Sequence, residues 1–300
     1  MKKGKTRLAS LFMMLLLSVL SLTGVTYAWF SQSDKASINQ FTLDVESVVG
    51  LEISTDGMNW FTNITNFTYA GELIPVSTVG DVDASNNVKF FNGDYANGKL
   101  TNVVAAERSQ NSSTKGYFAL TLYFRNTGVE DVNVTLSDDD DFVTTVCSGT
   151  YEVPQVIYSS LAARVGFLSR NQANSDEPLN QILAKANTYE DFVIYEPNAT
   201  THLEQAIALG QATNGTKATT YGLKATGTGP YVCANASTLT STFGLQETVT
   251  DPTETMFTIN GDSIRCVTIY IWLEGQDCDC TNVVADHDLY VSLKFYREEQ

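Results

Sequence analysis

The sequence predicts an all-β protein, a jelly-roll-like two-sheet sandwich carrying a partly helical, loop-rich insertion. Three observations predict it. Apolar and polar residues alternate with period two after residue 36, the pattern of strands with one face buried. Aromatics make up 11% and charged residues only 17%, which excludes a disordered chain and favours a large core. The strand-like runs come from both ends of the chain, with a stretch at about 150–260 that is less regular. Distant segments must then pair, as they do in a sandwich.

Residues 1–28 read as an export signal. Lys2, Lys3, Lys5 and Arg7 form a basic start, and Leu11 to Leu22 is an apolar run of secretory length. Thr26 and Ala28 are small residues suited to cleavage between Ala28 and Trp29. Left uncut, the uncharged run Leu8 to Phe30 would be ~34 Å long as a helix and could anchor the chain in a bilayer. Either outcome predicts a secreted or cell-surface protein, membrane-anchored if the segment is retained. Residues 29–43 then form a separate N-terminal segment, aromatic at its ends and polar in its middle, and residues 44–300 form the sandwich body.

Along the body, Phe41 to Ile53 reads as one or two strands, and Asp56-Gly57 before Trp60 and Phe61 signals a hairpin turn. Tyr117 to Phe124 suits a well-buried strand. With Asn126-Thr127-Gly128 as the turn and Asp131 to Leu136 alternating after it, this unit reads as the clearest hairpin of the chain. Leu161 to Leu168, Phe192 to Tyr195, Ile264 to Leu273 and Leu289 to Phe295 complete the expected strands. Glu177 to Asn187 is helical in pattern, with Pro178 near its start and Leu179, Ile182, Leu183 and Ala186 on one face. His202 to Leu209 predicts a shorter helix, and Gly210 to Thr250 a long decorated loop region.

Charge and motifs narrow the function. Four of the 18 basic residues lie in the signal, leaving 14 against 34 acidic side chains. A body this acidic repels phosphate backbones, which excludes nucleic-acid partners. With only His202 and His287, and no His-Glu-x-x-His or Gly-x-Ser-x-Gly, the sequence predicts no enzyme and no catalytic residue. Trp60 and Trp272 read as core aromatics rather than sugar-stacking platforms.

Two polar clusters are candidate ligand sites. Asp138, Asp139, Asp140 and Asp141 follow a predicted strand and read either as a solvated loop or as a weak Ca²⁺ site, since adjacent carboxylates attract hard cations. No other cofactor is expected. The stretch Glu274 to Cys280 holds Cys278 and Cys280 among carboxylates directly after an apolar strand. Reduced, these thiols suit a soft metal, with His287 the nearby histidine. Oxidised, they pair with Cys266 or a more distant cysteine. Cys147, Cys233, Cys266, Cys278 and Cys280 are the disulfide candidates, their connectivity open and at least one thiol left over.

The block Thr26-Tyr27-Ala28-Trp29-Phe30-Ser31, followed by Asn39-Gln40-Phe41-Thr42-Leu43-Asp44-Val45, resembles the N-termini of Gram-positive proteins with a SipW-dependent type of signal peptide. That group includes the TasA-like biofilm matrix proteins and the camelysin-like surface proteins. The Leu-Asp-Val end of the block is present, while the glycine that precedes it in the group is missing. The resemblance covers about 25 residues. It implies a jelly-roll-like body, export, cleavage by a dedicated signal peptidase, and a structural role at the cell surface or in the biofilm matrix. It also implies self-assembly into fibres, the N-terminal segment adding as a strand to a neighbouring copy, with Trp29, Phe30, Phe41 and Leu43 as its anchors. The expected partners are the signal peptidase, further copies of the chain, and other matrix or surface components. The alternative is a monomeric or membrane-anchored adhesin-like binding module that uses Ca²⁺. The metalloprotease label of the camelysin relatives is not carried over, because the zinc-binding helix motif is missing here.

Overall fold

A computed structural model describes residues 41–47, 50–69, 73–96, 99–106, 108, 116–136, 145–148, 158–208, 210–223, 243–280 and 289–299. The chain is an all-β sandwich of two main sheets with small additions. Its strands are β1 (Phe41–Ser47), β2 (Leu51–Ser54), β3 (Asn63–Tyr69), β4 (Phe91–Ala96), β5 (Lys99–Ala105), β6 (Tyr117–Asn126), β7 (Val132–Leu136) and β8 (Thr145–Ser148). They continue with β9 (Ala163–Asn174), β10 (Tyr189–Tyr195), β11 (Tyr221–Leu223), β12 (Phe243–Leu245), β13 (Phe257–Ile259), β14 (Ser263–Leu273) and β15 (Leu289–Glu299). Two short helices, α1 (Leu179–Lys185) and α2 (Glu204–Ala208), follow β9 and β10.

The first sheet has the order β13-β7-β15-β1-β3, with β8 also on β15, and the second has the order β10-β9-β14-β6-β2. Among the strands of these sheets the chain changes sheet at most steps. It stays in one sheet from β7 to β8 and from β9 to β10, an antiparallel pair with α1 in its connection. Repeated crossing of this kind is the winding of a jelly roll. One strand departs from pure antiparallel order. β1 runs parallel to β15, from Leu43↔Val291 to Ser47↔Phe295, and antiparallel to β3 on its other side.

Period two in the sequence becomes two buried faces. Leu289, Val291, Leu293 and Phe295 of β15 meet Val267, Ile269, Ile271 and Leu273 of β14 across the sandwich. At the centre Phe124, Phe167, Phe257 and Phe295 pack with ring centroids 4.9–6.4 Å apart, in tilted and edge-on arrangements favoured by the aromatic quadrupole. Every residue of β14 is buried. Its alternate residues Tyr270 and Trp272 face a second apolar layer made by Val76, Val88 and Phe90. Further along, Ile264 and Cys266 lie under Ile182 and Ala186 at α1. Strands buried on both faces read as continuous apolar runs, as SIRCVTIYIWL does.

Three local expectations change in the fold. The Asp56-Gly57 turn forms, with Asp56 accepting from Met58 and Asn59. Its hairpin, however, is a single bridge between Ile53 and Phe61, after which β3 joins the other sheet. The Asn126-Thr127-Gly128 unit is not a hairpin. β6 pairs with β14 and β2, whereas β7 pairs with β13 and β15, so the connection arches from one sheet to the other. Buried Asn126 knits that arch: its Nδ2 donates to the carbonyls of Glu130 and Asn260, and its Oδ1 accepts from the Gly128 amide. Gly261 closes over it, and a Cβ there would stand 2.0 Å from the Val129 carbonyl oxygen. Lastly, β9 and β10 fall within the 150–260 span expected as insertion, yet they belong to the second sheet, and β13 belongs to the first. The added material among the described residues comprises the small β4–β5 pair and, within 196–256, α2 and the small β11–β12 pair.

Candidate functional site

Two features stand out, the seat of β1 and a buried polar cluster beneath the loop that follows β14. β1 carries Phe41 and Leu43, and its backbone is paired on both sides, to β15 and to β3. It therefore occupies an interior position of the sheet, although it is the most N-terminal strand described. Ala28, Trp29 and Phe30, the cleavage point and aromatic start of this segment, lie outside the described residues.

The polar cluster begins where β14 ends. The Glu274 amide donates to the Ala162 carbonyl, the Val76 amide to Leu273, and the Gly275 amide to Val76. The strand end is thus clamped between the start of β9 and the 73–78 segment. Two turns follow, from Asp277 back to Glu274 and from Cys280 back to Asp277. They fold residues 274–280 down onto the sandwich, and all seven are buried except half-buried Cys278.

Arg164, fully buried on β9, is the cation at the centre. Its Nη2 lies 2.5 Å from Asp277 Oδ2 and 2.9 Å from Glu196 Oε1. Glu196 also accepts from Thr248 Oγ1 at 2.6 Å, with Lys217 Nζ 3.7 Å away. Burial alone would lower the Arg164 pKa, but Glu196, Asp277 and Glu274 together hold it above its ordinary value. Next to this group Glu274 accepts hydrogen bonds from Gln246 Nε2, Trp272 Nε1 and the Gln276 amide. Complete burial nonetheless pushes its carboxyl up to about 7, against the opposing pull of Arg164 and these donors. Ser160 Oγ, Arg164 Nε, Gln246 Oε1 and both amide atoms of Gln276 are buried with no hydrogen-bond partner among the described residues. A polar interior this incompletely satisfied is costly, and it is concentrated at one end of the sandwich.

The raised pKa of Glu274 has a definite consequence for stability. Between about pH 4.5 and about pH 7 the folded chain holds a proton that the unfolded chain has released. The contribution is therefore complete below about pH 4.5 and is lost as pH rises through about 7. Thermal melts taken between about pH 5 and 8 are expected to fall with pH, and Glu274→Gln to flatten that slope. His202 and Asp279 are shifted in the same direction, so the slope shrinks without vanishing.

Beside the Arg164 group stands His202, from the segment leading into α2. Its Nδ1 lies 2.7 Å from Asp279 Oδ2, and its Nε2 lies 2.7 Å from the Thr216 carbonyl oxygen. The Leu203 amide donates to Asp279 Oδ1 at 2.8 Å. The His202 and Asp279 side chains are 3% and 1% exposed. Burial alone would lower the imidazole pKa, but the Asp279 carboxylate and the Thr216 carbonyl hold it above its ordinary value. Burial and neighbouring Asp277 raise that of Asp279. The thiols of Cys278 and Cys280 are pushed well up, by burial first and then by the surrounding carboxylates.

The residues expected from sequence are distributed unevenly. Cys278 and Cys280 lie in the cluster, and Cys266, Cys278 and Cys280 are all free thiols. The expected pairing with Cys266 is overturned by distance. Asp277 is held on Arg164, whose register partner is Trp272. Cys266 lies six residues away along β14, ~20 Å at about 3.3 Å per residue, far beyond the reach of a disulfide. Cys266 is instead packed beside Tyr123 and Ile182. Cys147 lies in β8, opposite Tyr290, while Cys233, His287 and Asp138 to Asp141 lie outside the described residues. Trp272 is core, and Trp60 stacks under Arg125 at 4.4 Å.

Arg164, Glu196 and His202 were not singled out from the sequence. Arg164 and Glu196 carried a usable signal, since each is a lone charge in or just after an apolar strand run, and buried charges pair. His202 carried none, because its partner is 77 residues away. Among the described residues no helix is long and apolar enough to cross a membrane. No family model matches the chain, and no curated protein or solved structure matches it.

Proposed function

We propose that this chain is an exported structural protein of the cell surface or biofilm matrix that assembles with copies of itself through its N-terminal strand. It resembles the SipW-dependent exported proteins in its signal block, and it works without catalysis. The observation that carries the reading is the position of β1. This strand is paired through its main chain to β3 on one side and, in parallel, to β15 on the other. The same hydrogen bonds are available to an equivalent strand from a second copy, and strand addition by main-chain pairing is a general mode of assembly. Cleavage between Ala28 and Trp29 would release the segment from the membrane and couple export to assembly.

Negative-stain electron microscopy of the chain from Trp29 tests this, beside a version that starts at Phe41. The shorter version keeps β1 but lacks the 29–40 stretch proposed to let that strand reach a second copy. Filaments from the longer chain and single particles from the shorter one are expected. Single particles from both would overturn self-assembly and leave a monomeric surface module.

A further inference from the structure

We propose that His202, Cys278 and Asp279 form a zinc-binding site that ties the 196–223 segment to the loop after β14. The inference is independent of fibre assembly. One ligand atom from each of the three side chains lies within 4.8 Å of the other two, so a small side-chain adjustment brings all three onto a single ion. The donors are an imidazole nitrogen, a thiol sulfur and a carboxylate oxygen. This mixture suits Zn²⁺ and not the hard cations Ca²⁺ and Mg²⁺, which take oxygen ligands.

The geometry around His202 argues for a cation at this place. The Thr216 carbonyl can only accept, so the Nε2 atom 2.7 Å away carries the hydrogen. In the neutral imidazole Nδ1 is then a bare lone pair, and it faces Asp279 Oδ2 at 2.7 Å. Two acceptors at that distance need a positive centre between or beside them, a proton or a metal ion. A histidine that ligates through one nitrogen and donates from the other to a backbone carbonyl is the usual arrangement at metal sites. Asp279 is oriented in the same way, its Oδ1 fixed by the Leu203 amide at 2.8 Å. Both ligands therefore have an outer support in place before any ion arrives.

Charge and exposure agree with this. A thiolate and a carboxylate with a neutral imidazole carry two negative charges, which a divalent ion cancels at this partly buried position. Asp279 is buried, while His202 and Cys278 are both half-buried, which leaves a way in between them. Three protein ligands leave one tetrahedral position for water or another donor. Cys280 is not one of the three, being buried against Ala162.

The test uses the purified, reduced chain and Zn²⁺ alone, measured by competition against a chromophoric chelator and by thermal melting. One Zn²⁺ per chain and a higher Tm in its presence are expected. Co²⁺ in place of Zn²⁺ should give the intense visible bands of a tetrahedral site with a thiolate charge-transfer band. Cys278→Ser, which is nearly isosteric, should abolish that band and weaken Zn²⁺ binding at least about 100-fold, because even outer-shell partners cost roughly 10–100-fold. His202→Asn should weaken binding similarly, while Cys266→Ser should leave it unchanged. Circular dichroism of each variant separates loss of the site from loss of the fold, and the Cys278→Ser result decides where His202→Asn fails to fold. No stoichiometric uptake by the reduced chain, or uptake that survives Cys278→Ser, would overturn the proposal. So would a disulfide at Cys278 in the exported protein.

Discussion

Arg164→Met is expected to destabilise the chain by about 3–5 kcal/mol, the cost of removing one partner from a buried ion cluster. Methionine fills much of the same volume, so the loss is electrostatic rather than a cavity. Arg164 is fully buried, and its guanidinium is the cation shared by Glu196 and Asp277, with Glu274 close by. Without it, carboxylates remain inside the sandwich, offset among the described residues by Lys217, 3.7 Å from Glu196, and by the His202 imidazole near Asp277. The expected signature is a Tm lowered on the order of 10 °C near neutral pH. The loss should shrink on acidification, because protonated carboxylates no longer need the cation. Combining Arg164→Met with Glu196→Gln and Asp277→Asn should recover part of the stability. A single-variant loss under about 1 kcal/mol at neutral pH would contradict the cluster's role.

Removing residues 1–47 is expected to abolish stable folding of the isolated chain. The deletion takes out β1 and leaves β3 and β15 as facing, unpaired edges. Total folding free energy is only about 5–15 kcal/mol, and losing an interior strand removes two ladders of hydrogen bonds at once. Unpaired edges of this kind also promote aggregation. A synthetic peptide spanning residues 38–49, added in trans, should restore the far-ultraviolet circular dichroism and the cooperative melt. A truncated chain that melts cooperatively near the temperature of the parent would show that β1 contributes little. Rescue by the peptide would establish that its seat accepts a strand not connected to the chain.

Much of the architecture was legible in the sequence. The run Ile264 to Leu273 reads as a strand, which the structure extends to Ser263 and buries on both faces, and Leu289 to Phe295 alternates because one face of β15 meets the core. The helix at α1 was marked by Pro178 and by Ile182 on its buried face. These features depend on neighbours a few residues apart, and the period of burial records them directly. Pairing was not legible in the same way. The Asn126-Thr127-Gly128 turn suits a hairpin locally, yet it becomes an arch because Asn126 bonds to Asn260, 134 residues away. Likewise, strands at 163–174 and 189–195 complete the second sheet, although the composition around them suggested an insertion.

The polar cluster divides along the same line. Sequence placed Cys278, Asp279 and their neighbours at the end of an apolar strand, which is where they stand. It had Cys266 and His287 as their companions, because only nearness in the chain was available to argue from. The fold supplies Arg164, Glu196 and His202 instead. What the sequence determined by itself was the all-β class and the central parts of the longer strands, though not β4, β5, β8 or β13, since alternation and turn residues act over a few positions. What only the tertiary structure decided was which strands are neighbours and which charges share one buried space. Those depend on how two sheets close over each other, and a chain of single residues carries no local mark of it.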